Sequence, residues 1–187
     1  MDMLLAGLFL WAGVHYIPGL MPNVKEKLVA TLGGAYRPVF ALAIISSILL
    51  IVFGWKSTSP EFIYEPLSDA SQVTGVLMII CFYLLGAANG PSNAKRFIRH
   101  PMLSGVIVWG GAHLLANGDS RSVILFGGMI IWATTEILVI NKREGAYEKP
   151  EPVPMNKDII KLLVAIVIYG VVVFAHPYIA GVPVMSL

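Results

Sequence analysis

Charge is what this 187-residue chain has least of: Asp, Glu, Lys and Arg together make up 13% of it, against 57% in apolar residues. The mean hydropathy is +0.77. A soluble domain carries about twice that share of charge, so an ordinary water-soluble enzyme and a disordered chain are both excluded. A basic excess is lacking too. Thirteen basic against eleven acidic residues leave a net charge of +2, too little to track a phosphate backbone, and no nucleic-acid partner is expected. Cysteine is nearly absent. Cys81 alone rules out an internal disulfide, a Cys-x-x-Cys-His haem attachment and a thiolate zinc site, and its apolar surroundings read as those of a small buried hydrophobe. No His-Glu-x-x-His or paired Glu-x-x-His motif occurs, which counts against zinc or di-metal chemistry.

What is present is long apolar runs. A helix crossing hydrocarbon needs ~20 mostly apolar residues, because lipid offers no partner to a free backbone N–H or C=O. Six stretches qualify, roughly Leu4 to Leu20, Pro38 to Trp55, Gln72 to Ala88, Pro101 to Ala116, Val123 to Ile140 and Ile159 to His176. They predict an all-α, polytopic membrane bundle filling residues 1–187 as a single domain. The fourth stretch is the shortest, and Phe97-Ile98 are expected to extend it. The first opens on Met-Asp, with no basic n-region and no small-residue cleavage site behind it, so it reads as a retained span rather than a signal peptide. Glu148 to Pro154 is charged and Pro-rich and reads as an extended linker.

The few charges form a map. Lys25, Lys27 and Arg37 follow the first span, Lys95, Arg96 and Arg99 the third, and Lys142, Arg143, Lys149 and Lys157 the fifth, while the opposite side has Lys56 and Arg121. Short basic loops stay cytoplasmic, so the expectation is a multi-pass membrane protein with both termini facing away from the cytoplasm.

Ionisable groups inside spans are costly and mark candidate sites. His15, His100, His113 and His176 all lie within or at the ends of predicted spans. By depth they sort into a pair on the cytoplasmic side, His15 and His100, and an outer pair, His113 and His176. His113 lies thirteen residues beyond His100, about 20 Å at a helical rise of 1.5 Å per residue. Imidazoles on facing helices suit a porphyrin iron in an apolar shell, so each pair is a candidate ligand set. Gly105, Gly110, Gly111, Ala112, Gly127 and Gly128 either make room for a cofactor or let helices pack closely. Glu136, the one acid well inside a span, either pairs with Arg99 or Arg143 or serves as a proton carrier or orienter of a ligating histidine. Arg99 and its basic neighbours could also hold porphyrin carboxylates.

Gly13-Val14-His15-Tyr16-Ile17-Pro18, Arg99-His100-Pro101-Met102-Leu103-Ser104-Gly105, and Trp109-Gly110-Gly111-Ala112-His113-Leu114-Leu115-Ala116-Asn117-Gly118-Asp119, followed by Phe126-Gly127-Gly128, Trp132 and Glu136, resemble the NnrU family over nearly the whole chain. The resemblance implies a bacterial inner-membrane protein associated with denitrification, the reduction of nitrite and nitric oxide. That family is related to the plant 15-cis-zeta-carotene isomerase, a membrane enzyme using haem b. It implies that His15 and His100 match axial haem ligands and that His113 is a further histidine of the pattern. Isomerase chemistry would require an exchangeable iron ligand and a lipid-accessible slot for a carotenoid.

Two alternatives remain beside it. The Arg99-to-Gly105 segment is similar to the Arg-His-Pro-x-Tyr-x-Gly piece of isoprenylcysteine carboxyl methyltransferases, which use S-adenosylmethionine. The stretch Lys142 to Glu148 lacks that family's paired Glu, and another span follows it. The other alternative is non-catalytic haem or electron carriage, for example from quinol.

Overall fold

The computed structural model describes residues 1–68 and 70–184. Among them are seven α-helices, α1 (Asp2–Leu20), α2 (Pro22–Leu32), α3 (Tyr36–Ser57), α4 (Ala70–Ala88), α5 (Pro101–Ala116), α6 (Ser120–Glu144) and α7 (Asn156–Ala180), with short 3-10 turns at Gly33–Ala35 and Asn93–Arg96. No strand occurs among the described residues; an isolated bridge joins Phe62 to Asp119. The stretches α1, α2 running on into α3, α4, α6 and α7 are long and apolar enough to cross a bilayer. This is therefore a polytopic helical membrane bundle, as the apolar runs predict.

Two sequence expectations need correction. The first basic loop is not irregular: it contains α2, in which Leu28 and Leu32 are half-buried and the rest exposed. Pro22 starts it, as proline suits a first helical position, where no N–H is needed. The fourth span is not extended by Phe97-Ile98. Its helix begins at Pro101 behind His100 in a non-helical conformation (φ −120°, ψ 68°), because the residue before a proline is pushed out of the α region. Phe97 is 83% exposed. The resulting 16-residue α5 is about 24 Å long, shorter than the hydrocarbon core.

The helices form a ring in the order α3, α1, α6, α5, α4, α7. At one end, called here the terminal end, Leu4 meets Gly54 and the Trp55 indole donates to the Ala180 carbonyl (3.3 Å). At the other, basic end, Arg143 donates to the Pro18 carbonyl (3.3 Å), and Arg99 and Arg143 each reach Glu144 at 3.1 Å. The α4/α7 seam is tied there by Asp158. Its carboxylate accepts from the Ser92 hydroxyl (2.5 Å), the Tyr83 hydroxyl (3.1 Å), the Asn93 amide N–H and the Asn93 side chain (2.7 Å). The main core lies on α6, where Met129, Trp132 and Ala133 are covered by Trp11, Ala12 and Tyr16 from α1 and by Leu103, Val106 and Trp109 from α5.

Three of the candidate glycines settle into packing, while Gly111 and Gly127 have open space at the Cβ position. A Cβ on Gly110 would lie 2.7 Å from Ile130, and one on Gly105 or Gly128 would be 3.3 Å from α4 or α1 atoms. Close helix approach is the use these three serve.

Candidate functional site: a histidine-lined cavity

A cavity of about 820 Å³ occupies the half of the bundle nearer the termini. Its wall takes Ile48, Ile51 and Trp55 from α3, Met78 and Cys81 from α4, Trp109 and His113 from α5, Phe126 and Met129 from α6, and Tyr169 and His176 from α7. Trp11 of α1 also lines it. No Lys, Arg, Asp or Glu contributes to that wall among the described residues.

His113 and His176 share this cavity. The His113 Nδ1–H donates to the Trp109 carbonyl one turn back (2.8 Å), and its ring stacks on Phe126 at 4.4 Å and 24°. The His176 Nδ1–H donates to the Val182 carbonyl (2.7 Å). A carbonyl only accepts, so Nδ1 carries a proton in both rings, and in the neutral ring Nε2 keeps a lone pair.

His15 and His100 are not brought together. His15 donates from Nδ1 to the Trp11 carbonyl (2.8 Å), and its ring lies 4.4 Å from Trp11, 5.0 Å from Trp132 and 5.9 Å from Phe40. His100 has its Nε2 on Asn141 Oδ1 (2.9 Å). Trp132 and Asn141 are nine residues apart on α6, about 13 Å along its axis. The expected shared layer therefore splits. A helical side chain leans toward the N-terminus of its own helix, which carries the His15 ring away from the basic end, while His100 sits at the very start of α5. His15 instead lies directly behind Trp11, at the floor of the cavity.

Arg99 and Glu136 also stand apart. Arg99 bonds Glu144 and the Gly145 carbonyl (2.6 Å) and lies over Tyr147. It lines a second, more polar pocket of about 510 Å³ with His100 and Glu144. Glu136 pairs with neither Arg99 nor Arg143; its Oε2 is buried without a hydrogen-bond partner, as are the indole N–H groups of Trp11 and Trp132. No group of three or more His, Cys, Asp or Glu is placed to hold a bare metal ion among the described residues.

Sequence reasoning missed the strap that closes the terminal end. Ile63 and Tyr64 donate their N–H groups to the Gly118 carbonyl (2.8 and 3.0 Å), and Leu67 donates to the Leu115 carbonyl (3.0 Å). The Tyr64 hydroxyl reaches the carbonyls of Leu114 and Asn117. Gly118 lies so close to the Tyr64 backbone that a Cβ has no room. Burial, and then the charge of Asp119, hold the Tyr64 phenol above its ordinary pKa. Pro66, Leu67 and Ser68 of this strap line the cavity. The signal lay in Asn117-Gly118-Asp119, a turn sequence whose Asp119 caps α6 by accepting from the N–H groups of Arg121 and Ser122 (3.1 Å each).

No curated protein and no solved structure matches this chain. The family model described as "NnrU protein" matches residues 3–184. That span takes in the cavity, the strap and all four histidines, and the chain belongs to the NnrU family.

Proposed function

We propose that this NnrU protein binds haem b in the cavity of its terminal half. The observation that supports this best is the pair His113 and His176, two imidazoles from different helices in one apolar cavity, each with Nδ1–H committed to a carbonyl and Nε2 free. The donor set fits the group. Neutral imidazole suits iron, and a carbonyl on the remote nitrogen fixes the ring and raises its basicity. The volume falls in the range of about 300–1,000 Å³ usual for small-molecule sites. Arg121, with its guanidinium 4.4 Å over the Trp55 ring, is the cation we assign to a porphyrin carboxylate at the rim. Haem bound there would supply electron transfer or reversible coordination of an unsaturated ligand.

The chain's own residues do the rest. Phe126 and Trp109 hold the His113 ring in one orientation, and the Tyr64 strap covers the terminal mouth against water. The uncharged wall favours a lipid-soluble neutral substrate. It suits a carotenoid for cis–trans isomerisation and a neutral quinol for electron carriage alike, and disfavours an anion such as nitrite. We read the basic end as cytoplasmic, which makes the termini periplasmic in a bacterial inner membrane.

An absorption spectrum of the detergent-purified chain tests the cofactor. Sharp α and β bands on reduction are expected, and a colourless protein from haem-replete cells sinks the reading. His113→Ala and His176→Ala should each alter the spectrum more than His100→Ala does. If His15→Ala acts and His176→Ala does not, the ligand pair lies across Trp11 instead. Incubating the reduced protein with 15-cis-zeta-carotene separates isomerase from carrier, and a reporter fused to the C-terminus that is active in the cytoplasm would overturn the orientation.

A further inference from the structure

Behind the cavity floor lies a cluster of buried polar atoms that lack partners. Trp11 lines the cavity, while His15, Trp132 and Glu136 do not. The Trp132 indole, 7% exposed, meets Trp11 edge-on, with ring centroids 5.3 Å apart and 81° between the planes. The His15 ring lies 4.4 Å from Trp11 and 5.0 Å from Trp132. One turn nearer the basic end α1 and α6 meet again, where a Cβ on Gly19 would stand 4.0 Å from Glu136 Oε1. His15 and Gly19 are four residues apart on α1, as Trp132 and Glu136 are on α6, so each pair shares a helix face and the two faces oppose. The Nε1–H groups of Trp11 and Trp132 and the Oε2 of Glu136 are sealed from solvent and bond nothing among the described residues. His15 commits its Nδ1–H to the Trp11 carbonyl (2.8 Å), which leaves a lone pair on Nε2 in the neutral ring. Buried polar groups are nearly always paired, and in hydrocarbon an unpaired one has no solvent to turn to.

We infer that bound water occupies the α1/α6 seam between Trp11, His15, Trp132 and Glu136, as a hydrated site separate from the cavity. The complement of groups selects the ligand. Two N–H donors and two acceptors suit a molecule that accepts twice and donates twice, and a buried water makes about three such bonds to groups left without partners. A bare cation would face two N–H donors, and no group of three His, Cys, Asp or Glu is placed to hold one among the described residues. An anion would face the Glu136 carboxylate. An N–H on an aromatic face, which edge-on indoles permit, is a weak bond and does nothing for that carboxylate. Glu136 lies eight residues before α6 ends at Glu144, about 12 Å into the bundle. Water held there carries polar contact from that depth to the back of Trp11, so the indole pair divides a hydrated seam from the apolar cavity. The site needs no iron, and a colourless protein leaves it standing.

The detergent-purified full chain is measured by ultraviolet resonance Raman, whose indole bands report whether an N–H is hydrogen-bonded, and by infrared difference spectroscopy in ordinary and heavy-oxygen water. Trp132→Phe keeps a ring in the core and removes one donor. The Raman difference between the wild-type chain and Trp132→Phe should carry the signature of a bonded N–H, and the infrared difference an O–H stretch that moves in heavy-oxygen water. Glu136→Leu removes an acceptor and should lose most of that O–H band, whereas Glu136→Gln keeps a carbonyl oxygen and should retain it. A free N–H at Trp132 overturns the site. A bonded N–H without a heavy-oxygen-sensitive band overturns it too, because Trp132 and Glu136 then bond each other directly. An O–H band untouched by Glu136→Leu overturns the part given to the carboxylate. Should Glu136→Leu not fold, Trp132→Phe decides alone.

Discussion

The two faces of α3 meet their neighbours in opposite ways. Toward α1, Gly54 admits the Leu4 backbone so closely that no Cβ fits, and a Cβ on Gly7 would stand 2.8 Å from Ile51 and 2.9 Å from the Ser47 carbonyl. Toward α7, the same helix offers Ile48, Ile51 and Trp55 to a cavity. In lipid no hydrophobic force draws two apolar helices together; close backbone approach and interhelical hydrogen bonds must do it. Small residues therefore act as the fasteners. Where α3 carries Ser47 and Gly54 it is fastened, and where it carries branched and aromatic side chains it leaves space. α7 repeats the contrast, tied to α4 through Asp158 and only loosely to α3.

The largest break of this comparison is expected at the fastened face. Gly54→Leu must push α1 away from α3, a clash costing about 3 kcal/mol or more, and should leave little monodisperse protein on size exclusion in detergent. Next comes Asp158→Ala, which strands the donors of Ser92, Tyr83 and Asn93. Loss of about 2–3 kcal/mol is expected, read as a lowered midpoint in denaturant titration. Val172→Phe, by contrast, enters a seam that has room and should shift that midpoint by less than about 1 kcal/mol. If it destabilises as much as Gly54→Leu, the α3/α7 face is packed after all. Glu136→Gln removes an acid whose Oε2 has no partner, so stability should hold, within about 0.5 kcal/mol; a marked loss would reveal a bond to Glu136 formed in the bilayer.

The smallest effect concerns the strap. The Tyr64 phenol must keep its proton to donate to the carbonyls of Leu114 and Asn117, and its pKa is raised above the ordinary value of about 10. The contribution of a group raised in this way is complete below the unfolded value and is lost as pH rises through the folded one. The protection of the Ile63 and Tyr64 amides, taken relative to the intrinsic base-catalysed exchange rate, should therefore fall only above the ordinary tyrosine range, and Tyr64→Phe should remove that dependence.

Much of the bundle was legible in the residues. The six apolar runs fall on α1, α3, α4, α5, α6 and α7, because sixteen to eighteen mostly apolar residues in lipid have few other ways to satisfy their backbone. Pro101 and Asp119 mark helix starts by rules that act over a few residues. α2 is not legible from the charges, because Lys25 and Lys27 read as loop charges, although Pro22 and the spacing of Val24, Leu28 and Leu32 fit a short helix. The histidines were legible as candidates and not as partners. Counting residues from a span's end treats all helices as level rods, but α5 is short, the His15 ring leans back on Trp11, and Asn141 takes the Nε2 of His100.

Composition and the placement of twelve of the thirteen basic residues alone determined that this chain is a bundle of apolar helices suited to a bilayer and which loops share an end. Those are one-dimensional quantities, set by the cost of leaving a charge or a free peptide group in hydrocarbon. Which histidines face one cavity, where the wall lacks charge and which seam stays loose were decided only by the tertiary structure. They depend on how far each helix is shifted and turned against its neighbours, and that is set by contacts such as Leu4 on Gly54 between residues fifty apart in the chain.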